Sequence, residues 1–259
     1  MVIEPRQAGT GALLRWSNEA LHLVGRGAAS WAGMMLLACL AIFAGQRLPL
    51  VAGVLALTAY FGSILVAARL DRPEPATLSD CLEAMRVHGR SIIAFAAMIA
   101  LVGAVVWILV FARPGTGWWQ VLYNERNVVE GLSANWFVSL RQIFVASAWA
   151  LGLAYFGLNI PGATSFFQFP CVTLLGLPFR EAYRLSAAAQ MRNIGPMLAV
   201  GLVFVVLPAL CALVLPLAVP LLYCFLGALA YVAFREIFLG IRENQPVRAG
   251  AVAARVRAV

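Results

Sequence analysis

Five stretches of the chain, 27–46, 48–68, 91–112, 142–179 and 193–234, contain no Asp, Glu, Lys, Arg or His. They are 20, 21, 22, 38 and 42 residues long and make up 143 of the 259 residues. Crossing ~30 Å of hydrocarbon takes about 20 apolar residues at 1.5 Å rise each. Each run therefore has the length of at least one membrane span. The pattern predicts an all-α polytopic bundle with spans at 28–46, 50–68, 91–112, 142–160, 194–214 and 217–238.

Shorter amphipathic pieces separate the runs. In 11–26, Leu13, Leu14, Trp16, Leu21, Leu23 and Val24 offer apolar surface, and Arg15, Asn18, Glu19, His22 and Arg26 the polar side. This reads as an interfacial helix leading into the first span. Gln46–Pro49 is too short for more than a turn, so the first two spans form an antiparallel hairpin. After Pro73 and Pro75, Thr77 with Asp80 gives a capping-box-like start, and Leu78, Cys81, Leu82 and Met85 recur at helical spacing. Residues 179–192 form a second short amphipathic helix, with Arg180 and Arg184 one turn apart. The loop after the third span carries Trp118, Trp119, Tyr123 and Trp136, residues suited to a membrane–water interface.

Segment 161–178 does not fit one straight helix. Pro161, Gly162, Pro170, Gly176 and Pro178 interrupt it, and Thr164, Ser165, Gln168 and Thr173 add hydrogen-bonding groups after Asn159. It reads as a re-entrant piece, a kinked extension of the fourth span, or an extra span. Arginine arbitrates the count. With six spans and a cytoplasmic N-terminus, 15 of the 19 Arg lie inside and four (Arg47, Arg113, Arg126 and Arg141) outside. A seventh span leaves 7 inside and 12 outside, against the positive-inside rule. The expected organisation is a cytoplasmic N-terminal segment 1–27, a membrane domain 28–239 and a basic cytoplasmic tail 240–259.

Composition agrees. The chain is 63% hydrophobic and 12% charged, far from the ~25% charged residues of soluble domains. The net charge of +8 comes from Arg alone, with no Lys. These arginines sit singly at the ends of apolar runs, which points to membrane orientation and against nucleic acid. The first apolar run comes too late and is too long for a cleavable signal peptide, so it is expected to be a retained span. Cys39, Cys81, Cys171, Cys211 and Cys224 show no C-x-x-C spacing, so neither disulfides nor a metal site is expected.

Glu83-Ala-Met-Arg86 and Glu181-Ala-Tyr-Arg184 form a weak internal repeat, each in a short helix leading into a span. Pro178-Phe-Arg-Glu-Ala-Tyr-Arg-Leu-Ser186, Met191-Arg-Asn-Ile-Gly195 and Tyr231-Val-Ala-Phe-Arg-Glu-Ile-Phe238 carry a wider likeness. With the Leu78–Arg90 helix as the matching element of the first half, the layout from about 11 to 240 resembles bacterial six-span inner-membrane proteins of unknown function. It is similar in pattern to the membrane domain preceding the catalytic part of some glycerophosphoryl diester phosphodiesterases. The resemblance implies a fold and a compartment; no catalytic domain is expected here, and no activity carries over.

Candidate chemistry is sparse. Intramembrane proton relays and ion-coupled carriers need ionisable groups at depth, and the runs contain none. Glu125 and Glu130 lie outside; Asp71, Glu74, Asp80 and Glu83 are interleaved with Arg and read as solvated pairs; His22 and His88 have no motif around them. No catalytic residue, cofactor or metal is expected. Asn159, Thr164, Ser165 and Gln168 are the candidate ligand or packing site, because interrupted helices frame solutes in transporters. Arg86, Arg90, Arg180 and Arg184 are the candidate face for anionic lipid or a partner complex. The expected role is structural, assembly or regulatory, with a transporter or channel component for a small neutral or amphipathic solute as the alternative.

Overall fold

The computed structural model describes residues 4–26, 28–44, 49–72, 79, 83, 86–98, 101, 166–214 and 218–240. The expected span 142–160, most of 91–112, and the tail beyond 240 lie outside the described residues. So do Asn159, Thr164 and Ser165.

Among the described residues every regular element is helical: α1 (Ala12–Gly25), α2 (Ala28–Ala44), α3 (Pro49–Leu70), α4 (86–98), α5 (Gln168–Leu174), α6 (Phe179–Arg192), α7 (Ile194–Val214) and α8 (Val219–Phe234). A π-helical turn, Arg235–Leu239, continues α8. Among the described residues two helices are long and apolar enough to cross a membrane, Gly53–Leu70 and Val219–Leu239. The number rises to four if each of two bent pairs is one span.

Those pairs share one design. α1 meets α2 at 101° and α6 meets α7 at 99°, and each short helix has 14 residues. Gly11, at φ 74°, starts α1 without a side-chain cap. At its other end the Trp31 indole N–H donates to the carbonyls of Leu23 (3.2 Å) and Arg26 (3.1 Å). A helix leaves its last carbonyls without partners, and here α2 supplies one.

The central pillar is α8, packed against α1, α2, α3 and α7. The apolar window Val219–Leu239 is 94% buried within the protein, so this helix is core rather than lipid-facing surface. It comes close to α3 at Gly227, where an added Cβ would overlap the Ser63 Cβ. Ala59, Ser63 and Ala67 recur every four residues along α3, all fully buried, so small side chains on both helices bring the backbones together.

α5 supplies most of the described part of 161–178. That part is an aromatic wedge. Phe166, Phe167 and Phe169 are buried, with Phe169 stacked on Phe61 of α3 at 4.3 Å and 5.6 Å from Phe95 of α4. Phe166 meets Phe204 of α7, and Phe167 meets Phe238 of the π-turn. Gly176, at φ 67°, lies just beyond α5 and turns the chain so that the Leu177 N–H reaches the Cys171 carbonyl at 3.2 Å. Only glycine takes that left-handed turn without steric cost.

Candidate functional site: a buried charge cluster

α3 and α8 end at the same level of the bundle, and α1 lies across their C-terminal ends. Helix C-termini carry partial negative charge and favour a cation. Arg235 occupies that place. Its Nη1 donates to Asp71 Oδ1 at 2.5 Å, and its Nη2 donates to Glu19 of α1. Tyr231, one turn earlier on α8, donates its hydroxyl to Asp71 Oδ2 at 2.8 Å. Arg235 and Glu19 are both buried. One guanidinium thus joins three segments that are far apart in sequence.

Glu236 makes the reciprocal link. Its Oε1 accepts from Arg15 Nη2 at 2.9 Å and its Oε2 from the Trp16 indole at 2.7 Å. Arg15, Trp16 and Glu19 lie within about one turn of α1, so two adjacent residues of the π-turn engage a single helix. The π-turn has a further use. The Arg6 N–H bonds the Ile237 carbonyl at 2.8 Å, so the widened turn accepts the N-terminal arm. The arm is fixed at its other side by Asn193 in the α6–α7 corner. Its Oδ1 accepts from the Ala8 N–H at 2.6 Å, and its Nδ2 donates to the carbonyls of Arg6 (3.0 Å) and Ala189 (2.8 Å). Arg192 adds a bond to the Pro5 carbonyl at 2.9 Å.

This cluster overturns two readings of the sequence. Asp71 is not a solvated partner of its neighbouring arginines; it is held by Arg235 and Tyr231. Glu19 is not on the outer side of α1; it shares the packed face with Ala12, Trp16, Ala20 and Leu23, whereas Leu14 and Leu21 are exposed. The spacing 12, 16, 19, 20, 23 was the available signal, since it places Glu19 within an otherwise apolar stripe. Arg235 and Glu236 were hidden by their position just after a charge-free run, where basic residues normally report topology.

The other candidates are dispersed. Gln168 is buried between Phe167 and Phe169, and its Nε2 donates to the Phe179 carbonyl at 3.2 Å. The Phe167 N–H donates to Ser186 Oγ at 3.0 Å, so the polar groups here tie α5 to α6. Arg86, Arg90, Arg180 and Arg184 are exposed. His22 is exposed; His88 is half-buried, and burial together with nearby Arg69 lowers its pKa from the usual 6.5. Among the described residues no three His, Cys, Asp or Glu side chains gather as metal ligands. Glu74, Asp80, Cys81, Glu125 and Glu130 lie outside the described residues.

Comparison of the chain with protein-family models, with curated proteins and with solved structures finds no match.

Proposed function

We propose that the chain is a multi-pass protein of a bacterial inner membrane, with six spans and both termini in the cytoplasm, and that its role is non-enzymatic. It serves as a structural, assembly or regulatory component of a membrane process. The observation carrying this reading is the charge cluster: Glu19, Asp71, Arg235 and Glu236 are spent on holding α1, α3 and α8 together. Groups bound this way fix architecture. The pattern likeness to the membrane domain of glycerophosphoryl diester phosphodiesterases is consistent with the same reading.

The carrier alternative has less support. It rests on 159–168 framing a solute, and Gln168 is occupied by a backbone carbonyl within an aromatic core. The exposed arginines Arg86, Arg90, Arg180 and Arg184 suit attraction to an anionic surface, at about 1 kcal/mol per residue.

The test is native gel migration of the full chain extracted at physiological expression, with cysteine labelling of loops to fix topology. A component of a larger assembly migrates well above its own mass, and replacing the four exposed arginines by Gln collapses that species. Migration as the chain alone, before and after in-cell crosslinking, would overturn the assembly role.

A further inference from the structure

The N-terminal arm is seated as a bound peptide would be. Residues 4–9 form no helix, and the groups that hold them come from the far end of the chain. Asn193, 2% exposed, accepts from the Ala8 N–H at 2.6 Å and donates to the Arg6 carbonyl at 3.0 Å. Arg192 donates to the Pro5 carbonyl at 2.9 Å, and the Ile237 carbonyl accepts from the Arg6 N–H at 2.8 Å. Pro5 is buried. The Arg6 guanidinium lies against Gly240, where any Cβ would overlap it.

The hinge behind the arm is softer than its seat. Gly9, Thr10 and Gly11 join the arm to α1 and are all exposed. Gly11 leads into α1 at φ 74° with no side-chain cap. The Ala12 N–H meets the Gly9 carbonyl and the Arg15 N–H meets the Gly11 carbonyl at 3.3 Å each, longer than the usual N–H···O range. An exposed Arg15 bond to the Thr10 carbonyl supports the turn. Opening this hinge costs little, and an arm moved to a second copy keeps every contact of the groove.

We propose that the arm exchanges between two copies of the chain. Each copy seats its residues 4–8 in the groove that Arg192, Asn193, the π-turn and Gly240 of the other provide. A second copy is the occupant because the groove fits this sequence, with a buried seat for Pro5 and bare backbone under Arg6. The arm of the same chain competes at the effective concentration of a short tether, roughly millimolar, so exchange grows with the density of copies. This pairing deepens the assembly reading and rests on it.

The test is complementation between full-length chains that carry different tags and are co-expressed. Arg6→Pro spoils the arm, removing the N–H that reaches Ile237 and the guanidinium over Gly240, and leaves the groove intact. Asn193→Ala spoils the groove and leaves the arm intact; Arg192→Ala repeats the groove test from an exposed side chain. Wild-type copies co-purify, and copies of either single variant do not. Arg6→Pro together with a groove variant restores co-purification, through one good seat. Trypsin supplies a second readout, because Arg6→Pro has lost the cleavage site after residue 6 and cutting there reports the groove variant alone. Its arm is cut roughly tenfold more slowly with the Arg6→Pro partner than without it. Equal cutting in the two samples overturns the proposal. So does co-purification of same-variant copies at the wild-type level. A chain that migrates alone fails the assembly reading as well, and copies that pair whatever their arms fail only this one.

Discussion

Arg235 Nη1 lies 2.5 Å from Asp71 Oδ1, joining the end of α8 to the first residue beyond α3 across 164 positions of sequence. Both groups are largely removed from solvent, with 8% and 12% of their side chains exposed. A buried charge loses its hydration and must recover that loss from its partners. Arg235 therefore has two carboxylates, and Asp71 has a phenol as well as a guanidinium.

Removing one member strands the others. Arg235→Leu is expected to cost about 3–5 kcal/mol and to lower the thermal unfolding midpoint measured in detergent. Replacing Glu19, Asp71 and Arg235 together by Gln, Asn and Leu should recover much of that loss, because no unpaired charge remains. A triple variant less stable than Arg235→Leu would contradict this account.

The α3–α8 contact makes a steric prediction. Gly227→Ala places a methyl group onto the Ser63 Cβ, and overpacking of this kind costs about 1–3 kcal/mol. Ser63→Gly removes the nearest opposing atom and should rescue Gly227→Ala in part in the same melt, since the Tyr60 carbonyl and Ile64 nitrogen still press on the new methyl at 3.0 and 3.1 Å, although Ser63→Gly alone is destabilising.

Asn193 grips the N-terminal arm on either side of Gln7, accepting from the Ala8 N–H and donating to the Arg6 carbonyl. With its bond to the Ala189 carbonyl, Asn193→Ala removes three hydrogen bonds, each contributing roughly 1 kcal/mol. Limited proteolysis should then cut within residues 4–10 at a rate well above wild type, while the helical circular dichroism signal is kept. Unchanged cleavage would show that Arg192 and the π-turn hold the arm unaided.

His88 sets a pH dependence. Its pKa in the folded chain lies below the usual 6.5, through burial first and Arg69 second. Below pH 6.5 the unfolded chain takes up a proton more readily, so the unfolded state gains. Stability should fall as pH drops below 6.5 and level off once the folded histidine is also protonated. The effect is small because the ring is only half-buried. His88→Gln should remove that part of the profile in unfolding experiments between about pH 5 and 7.

The helices themselves were readable. The stretches 28–46, 50–68 and 194–214, expected to be helical, are helical at Ala28–Ala44 (α2), Pro49–Leu70 (α3) and Ile194–Val214 (α7). Gly, Pro and Arg at the run ends act locally, so they show in the sequence. The corners at Arg26 and Asn193 were also marked, by the change from amphipathic to uniformly apolar pattern. What those corners hold was not marked, because the indole of Trp31 and the amide of Asn193 act across the bend.

The sequence by itself determined where the chain is apolar and helical, since hydrocarbon thickness and helix rise fix the length of such runs. It also determined that charge is confined to their ends. Only the tertiary structure decided which of those charges are buried and bound. Glu19 and Arg235 are 216 positions apart, and no periodicity encodes a pairing over that distance. It follows from α1 folding across the ends of α3 and α8, where desolvation leaves each charged group dependent on its opposite.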